Sequence, residues 1–241
     1  MMNDSIKTVC LGGVSLPLRL RYEESAAWLR RFAAPRVEGA PVAVSDEDFA
    51  AWRGADSAID AYAEFCLLCM PASEALFAHE RCVFHAAALR FRDRAWLIAG
   101  GSGVGKSTHC RELLSLAPGE LTVINGDKPV LECREDGSVL VHPSPWNGKE
   151  GWQGGEAAPL AGLVCLRRGE ASRMEACCAR EAAPMVFSNV FQSYSDERVI
   201  RAAGRMAEKI LRAAPVWRLT SRDVRDSAGL LLEFLQREAE K

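Results

Sequence analysis

Neither sign of charge is in excess in this 241-residue chain: 30 Lys and Arg oppose 32 Asp and Glu, leaving a formal net charge of −2. So balanced a composition gives nucleic acid or an anionic membrane no long-range electrostatic reason to bind, and neither is expected as a partner. No apolar run reads as a membrane span, and Asn3, Asp4 and Lys7 deny the first residues the form of a signal peptide. The expectation is a cytoplasmic protein. No internal repeat or low-complexity tract is present, so one large domain, or a principal domain with a smaller appendage, accounts for the length. Histidine is scarce, at 4, and the 9 cysteines form no paired CxxC sets, a pattern that does not suit zinc. The motif Cys66-x-x-Cys69 lies in Glu64-Phe-Cys-Leu-Leu-Cys-Met70, where thiols are expected to pack as small hydrophobes and stay reduced.

Against these absences, residues 95–111, AWLIAGGSGVGKSTHCR, stand out. They hold an unbroken Gly100-x4-Gly105-Lys106-Ser107 between an apolar run, Ala95 to Ala99, and a helical segment, Ser107 to Leu116, that Pro118-Gly119 stops. Strand before and helix after are the context that a phosphate-binding P-loop requires. Glycines let successive N–H groups converge on phosphate oxygens, and the helix start turns its positive dipole end toward them. The expected nucleotide contacts are Gly101, Ser102, Gly103, Val104, Gly105, Lys106, Ser107 and Thr108. Lys106 brings a mobile charge to the β- and γ-phosphates, and Ser107 offers its hydroxyl to Mg²⁺.

Periodicity orders the rest. Ile6 to Leu11 and Val14 to Tyr22 alternate around Gly12-Gly13 and read as a β-hairpin. Glu23 to Phe32 reads as a short helix, and Asp56, Ile59, Tyr62, Ala63, Cys66, Leu67 and Met70 as a second helix ended by Pro71. Residues 1–80 are expected to form an N-terminal subdomain, and residues 81–241 the nucleotide-binding domain. Cys82 to Phe91 and Ala95 to Ala99 are strands separated only by Arg92-Asp93-Arg94, too short a link for a parallel crossover. The P-loop therefore follows an antiparallel hairpin, with His85 expected near the strand end that feeds Gly100. Further strands are read at Leu121–Ile124, Val130–Cys133, Val139–His142, Pro159–Leu166 and Pro215–Thr220. Val224 to Arg237 reads as a final helix with Leu230, Leu231, Phe234 and Leu235 on its docking face. The fold class is α/β with a mixed sheet. Residues 143–155, rich in Pro, Gly and Trp, form a loop whose Trp146, Lys149 and Trp152 suit either a lid over the site or a surface anchor.

A hairpin followed by a P-loop, with a histidine in the first strand, resembles the catalytic domain of HPr kinase/phosphorylase and, more remotely, ATP-dependent phosphoenolpyruvate carboxykinase. The matching stretches are Phe84-His85-Ala86-Ala87, Gly101-Ser-Gly-Val-Gly-Lys-Ser107 and Val123-Ile-Asn-Gly-Asp-Lys-Pro-Val130, within about residues 80–166. The N-terminal 80 residues do not look like the N-terminal domain of HPr kinase. Uncharacterised bacterial HPr-kinase-like proteins with a short N-terminal segment are the nearer resemblance. It implies ATP and Mg²⁺, with Lys106 and Ser107 on phosphate and metal and Asp127 as a second metal ligand. The first aspartate of the family's pair falls on Gly126, and a family arginine on Ala161.

These residues point to a kinase that moves the γ-phosphoryl group of ATP to a protein serine or small-molecule hydroxyl, with His85, Lys106 and Asp127 as catalytic residues. His85 reads as the general base or as a strand histidine satisfied by backbone. Gly126 and Ala161 favour a rival, a nucleotide-binding regulatory or assembly protein without efficient transfer. His79, His109 and His142 read as structural. The sequence leaves a homo-oligomer open.

Overall fold

The computed structural model describes residues 5–53, 60–152, 154–194 and 196–240. Its centre is a mixed sheet in the order β3 (Arg81–Val83), β7 (Val130–Cys133), β8 (Val139–His142), β9 (Ala158–Arg168), β5 (Arg94–Ala99), β4 (Ala86–Phe91) and β6 (Leu121–Asn125). Beyond β9 lie β11 (Val216–Ser221), parallel to it, and β10 (Arg173–Ala176), antiparallel to β11. A separate hairpin, β1 (Ser5–Leu11) and β2 (Val14–Leu20), opens the chain.

Period-two alternation along β5 explains the layering. Ala95, Leu97 and Ala99 face one core cluster with α6 (Ala179–Phe187) and α7 (Glu197–Ala213). Trp96 and Ile98 face another with α5 (Lys106–Leu116) and α8 (Val224–Glu238). Covered on both faces, β5 has no need of polar residues in its interior. Burying one such side chain, Leu97 at 0% exposure, contributes about 1.5–3 kcal/mol. The sequence's α/β class, mixed sheet and hairpin before the P-loop all hold.

Local bounds differ in instructive places. Cys82 to Phe91 is split into two strands, because the chain changes partners at Phe84 and His85: β3 pairs with β7, whereas β4 pairs with β5 and β6. Pro71 does not end its helix. The break falls at Leu68, between α3 (Asp60–Leu67) and α4 (Cys69–Leu76), and Pro71 sits in the first turn of α4, where a missing N–H costs little. The expected helical positions Asp56 and Ile59 lie outside the described residues. Glu23 to Phe32 is a four-residue helix, α1 (Ala26–Leu29), between two 3₁₀ turns. Helix α2 (Asp46–Arg53) and strand β10 were not expected from the sequence.

Residues 60–79 also correct the reading that no run approaches a membrane span: by length and composition this helical stretch could cross one, at a mean hydropathy of 1.2. Its packing is that of a core helix. Leu68, Cys69, Ala72 and Leu76 join Val9, Leu11, Leu18 and Leu20 of the hairpin in a cluster that also takes Val83, Val130 and Trp146. Glu64, 1% exposed, accepts hydrogen bonds from the N–H of Arg21 (2.6 Å), the N–H of Tyr22 (3.1 Å) and the Ser25 hydroxyl (2.7 Å). The carboxylate thereby satisfies two backbone groups just past the end of β2, ahead of the short helical segment.

Candidate functional site

Strands β5, β9 and β11 run parallel, and β4 is antiparallel to both β5 and β6. The carboxyl ends of β5, β6, β9 and β11 and the start of β4 therefore meet at one edge of the sheet, the usual place for a site in an open α/β fold. The P-loop leaves β5 there. Gly100 has φ 150° and lies so close to β9 that a Cβ would approach the Leu166 carbonyl oxygen to 2.7 Å. No other residue type fits that crossing. Helix α5 begins at Lys106 with no side-chain cap, which leaves its first-turn N–H groups without a side-chain acceptor, as anion binding at a helix start requires.

Two backbone devices bring Asp127 and His85 to the loop. The buried Asn125 amide oxygen accepts the N–H groups of Asp127 (2.9 Å) and Lys128 (2.7 Å), and its NH₂ donates to the Ser144 carbonyl (3.0 Å). That Asx turn fixes the segment in which Asp127 sits. Phe84 N–H bonds to Pro129 O (3.0 Å), Ala86 N–H to Asp127 O (2.9 Å) and His85 N–H to Asn189 O (2.7 Å). The gap between β3 and β4 thus lies alongside residues 127–129.

The side chains converge. His85 Nε2 lies 3.3 Å from Lys106 Nζ and 3.3 Å from Asp127 Oδ1, and Lys106 Nζ also donates to Gly100 O at 2.9 Å. Lys128, on the far side, pairs with Asp127 Oδ2. Burial alone would push the Asp127 carboxyl up, but the His85 hydrogen bond and the Lys128 charge outweigh it and hold the group down at about 2. Asp127 is therefore ionised at any physiological pH, a hard oxygen donor and a weak base. Burial lowers the Lys106 ammonium from its ordinary value while Asp127 supports it.

Ser107 lies in the first turn of α5. One ionised carboxylate and one serine hydroxyl fit the protein's share of a Mg²⁺ site, since that ion keeps several waters and takes its remaining oxygens from phosphates. Asp127 and Ser107 would hold it. Gly101, Ser102 and Gly103 are exposed along the loop, and Val104, Gly105 and Thr108 complete it.

Gly126 and Ala161 sit in different surroundings. A Cβ on Gly126 would lie 2.4 Å from the carbonyl oxygen of Asn147, and the Gly126 N–H bonds to Trp152 O. Loop 145–152 rests where a side chain at 126 would go. Ala161 is another matter: Leu160 pairs with Ala95 and Cys165 with Ala99, so position 161 sits beside the start of β5, roughly 15 Å from the P-loop at about 3.3 Å per residue. It packs partly buried with the Trp96 and Trp217 cluster. The arginines at the P-loop end of β9 are Arg167 and Arg168, and Arg168 Nη2 donates to Gly103 O at 2.9 Å.

Arg168 escaped the sequence reading, as did Lys128 and the role of His109. Burial pushes the His109 imidazole down, keeping it neutral. Its Nδ1 donates to Gly105 O (2.9 Å), and Nε2 lies 2.8 Å from the Ser227 hydroxyl on α8. It braces the P-loop from behind. His142 lies 2.7 Å from Glu132, away from this edge. Among the nine cysteines none is in a disulfide; Cys69 is buried and Cys66 half-buried.

Two clefts flank the convergence. One, of about 340 Å³, is lined by His85, Gly100 to Ser102, Asn189, Arg167 and Arg218. The other, of about 430 Å³, lies on the Asp127 and Lys128 side beneath loop 145–151. Residues 145–151 are thus both anchor and wall: Trp146, 4% exposed, donates Nε1–H to Phe65 O at 2.7 Å.

No family model and no curated protein matches the chain. Among solved structures it is similar to the Hpr(Ser) kinase/phosphatase from Coxiella burnetii, at 11% identity over 65% of this chain and 95% of that one, with a TM-score of 0.38.

Proposed function

We propose that the protein is an ATP-dependent kinase that transfers the γ-phosphoryl group of ATP to a hydroxyl. The observation that carries this reading is the contact of Lys106 Nζ, at the head of the P-loop helix, with His85 Nε2, itself 3.3 Å from Asp127. Phosphoryl transfer asks mainly for positioning and charge stabilisation. The loop amides and Lys106 hold the polyphosphate; Asp127 and Ser107 hold the metal. Mg²⁺, when bound, supplies neutralisation of the phosphate charge. The acceptor oxygen bonds to the γ-phosphorus, the bond to the β–γ bridging oxygen breaks, and ADP leaves. The hydroxyl proton passes to His85 Nδ1, the ring nitrogen left free while Nε2–H donates to Asp127, which is too weak a base to take it.

The test uses γ-labelled ATP and calorimetry. Label is expected to move from ATP to a protein or metabolite in fractionated lysate, and Lys106→Ala is expected to lose at least about tenfold in ATP affinity, the scale of one charge-assisted contact. Equal affinities of parent and variant would remove the nucleotide from this loop. The second reading, a nucleotide-binding regulatory protein without transfer, is favoured by Gly126, which leaves Asp127 without an acidic neighbour. Tight Mg·ATP binding with no labelled product from any fraction is its signature.

A further inference from the structure

The cleft of about 430 Å³ beside Asp127 has a wall that phosphate binding does not require. Trp28 of α1, Phe65 of α3 and Trp146 of the loop stack in a row, with ring centroids 5.5 and 6.1 Å apart, and Tyr62 meets Trp28 edge-on at 5.5 Å. The inner pair, Phe65 and Trp146, is buried, whereas Trp28 and Tyr62 stay 40% and 39% exposed at the cleft. Large aromatic faces left open around a concavity mark a place where another flat, apolar group packs.

The charges narrow the class. Asp127 at the floor is compensated by Lys128. Lys149, exposed on the loop, has no ion-pair partner among the described residues. The balance left over is positive, which argues against an aromatic cage for a cation and for an anionic group near the loop. The volume lies in the range of small-ligand pockets, about 300–1,000 Å³, so a one-ring compound fits and the face of a folded protein does not.

We propose that this cleft is the acceptor subsite, and that it takes a small aromatic hydroxyl compound bearing a carboxylate or similar anion. The ring lies against Trp28 and Tyr62, the anion meets Lys149, and the hydroxyl faces Asp127, whose Oδ1 lies 3.3 Å from His85. Transfer then forms the aryl phosphate ester and ADP, with the phenolic proton going to His85. The subsite's role as acceptor rests on the kinase reading; its ability to bind the compound does not. Gly126 belongs to the same design, since the Asn147 carbonyl that would meet a Cβ there at 2.4 Å is part of the wall.

Binding is measured on the full chain, without nucleotide, by ligand-observed NMR and calorimetry. The probe is 4-hydroxyphenylacetate. The controls are 4-hydroxycyclohexylacetate, which keeps the hydroxyl and the anion but loses the flat ring, and tyramine, which reverses the charge. The aromatic acid is expected to bind at or below about 1 mM and each control at least about tenfold more weakly, a difference of about 1.4 kcal/mol. Trp28→Ala and Tyr62→Ala are each expected to weaken the probe about tenfold. Lys149→Ala, an exposed loop substitution that leaves the core untouched, is expected to do so at least threefold, on the scale of about 1 kcal/mol or less for one exposed charge. No binding up to about 10 mM, equal binding of the cyclohexyl analogue, or indifference to all three substitutions overturns the subsite. Probe binding with no label moved from ATP would sink the kinase reading and leave the aromatic site standing; label moved to another acceptor with no probe bound would do the reverse.

Discussion

Asp127→Asn isolates the electrostatics on which the site depends. In the folded protein the carboxyl is held at about 2, against an ordinary 3.8. A tenfold change in proton affinity is worth about 1.4 kcal/mol, so the ionised group contributes roughly 2 kcal/mol to stability. The side chain is 24% exposed, and solvent screening makes that figure an upper one. The folded value lies below the unfolded one, so the contribution is complete above about pH 5 and is lost as pH falls through 3.8 toward 2. The asparagine cannot titrate. Urea unfolding of both proteins at pH 7, 5, 4 and 3 should therefore show the parent losing stability faster than the variant, with the gap between them narrowing by about 1–2 kcal/mol across the acid range. The same substitution takes a hard ligand from the proposed Mg²⁺ site and Coulombic support from Lys106, so it is also expected to weaken metal-dependent ATP binding. Parallel stability curves would show that His85 and Lys128 do not hold the carboxylate, and an unchanged Mg²⁺ dependence would take Asp127 out of the metal site.

Three further outcomes are expected. His85→Ala should leave ATP affinity nearly intact and cut transfer by roughly 10²-fold or more, the scale of a lost general base; transfer that survives it would move the proton to another group. Gly126→Ala should cost about 1–3 kcal/mol in urea unfolding, because the Asn147 carbonyl at 2.4 Å is backbone and must shift; a stability within error of the parent would mean that the loop does not rest on position 126. Glu64→Ala should cost at least about 2 kcal/mol by orphaning the N–H groups of Arg21 and Tyr22, with Glu64→Gln recovering part of it, and equal melting of the Ala and Gln variants would deny the carboxylate that role.

Much of the site was legible because it is local. Gly100 to Thr108 carry the whole P-loop pattern in consecutive residues, and the short link at Arg92-Asp93 forces β4 back along β5, so the approach of His85 to the P-loop follows from the hairpin alone. Strands β7 and β8 coincide with their sequence bounds, since each is a compact, mainly apolar run closed by turn residues. Strand β10 was not legible: Arg173 to Ala176 is exposed at nearly every position, and an edge strand held by backbone pairing to β11 leaves no apolar period to read. The split at Phe84 and His85 was hidden for a related reason. Nothing in Cys82 to Phe91 says that β3 and β4 take different partners; the instruction lies in Pro129 and Asn189, far along the chain.

Gly126 shows why substitution at a motif position is a poor guide without its surroundings. Read alone, it is a missing carboxylate and an argument against transfer. In the fold its lack of a Cβ lets loop 145–152 lie against the turn after β6, and that loop carries Trp146 into the aromatic row and Lys149 to the cleft. The space that an acidic side chain at 126 would need is taken by this wall. A side chain restored there would have to displace the wall before it could act on an acceptor, so Gly126→Asp should lower stability and probe binding together without raising any transfer. A Gly126→Asp variant that folds as well as the parent and transfers phosphate faster would show that an acidic group at 126 can serve transfer, and that the loop is no fixed wall there.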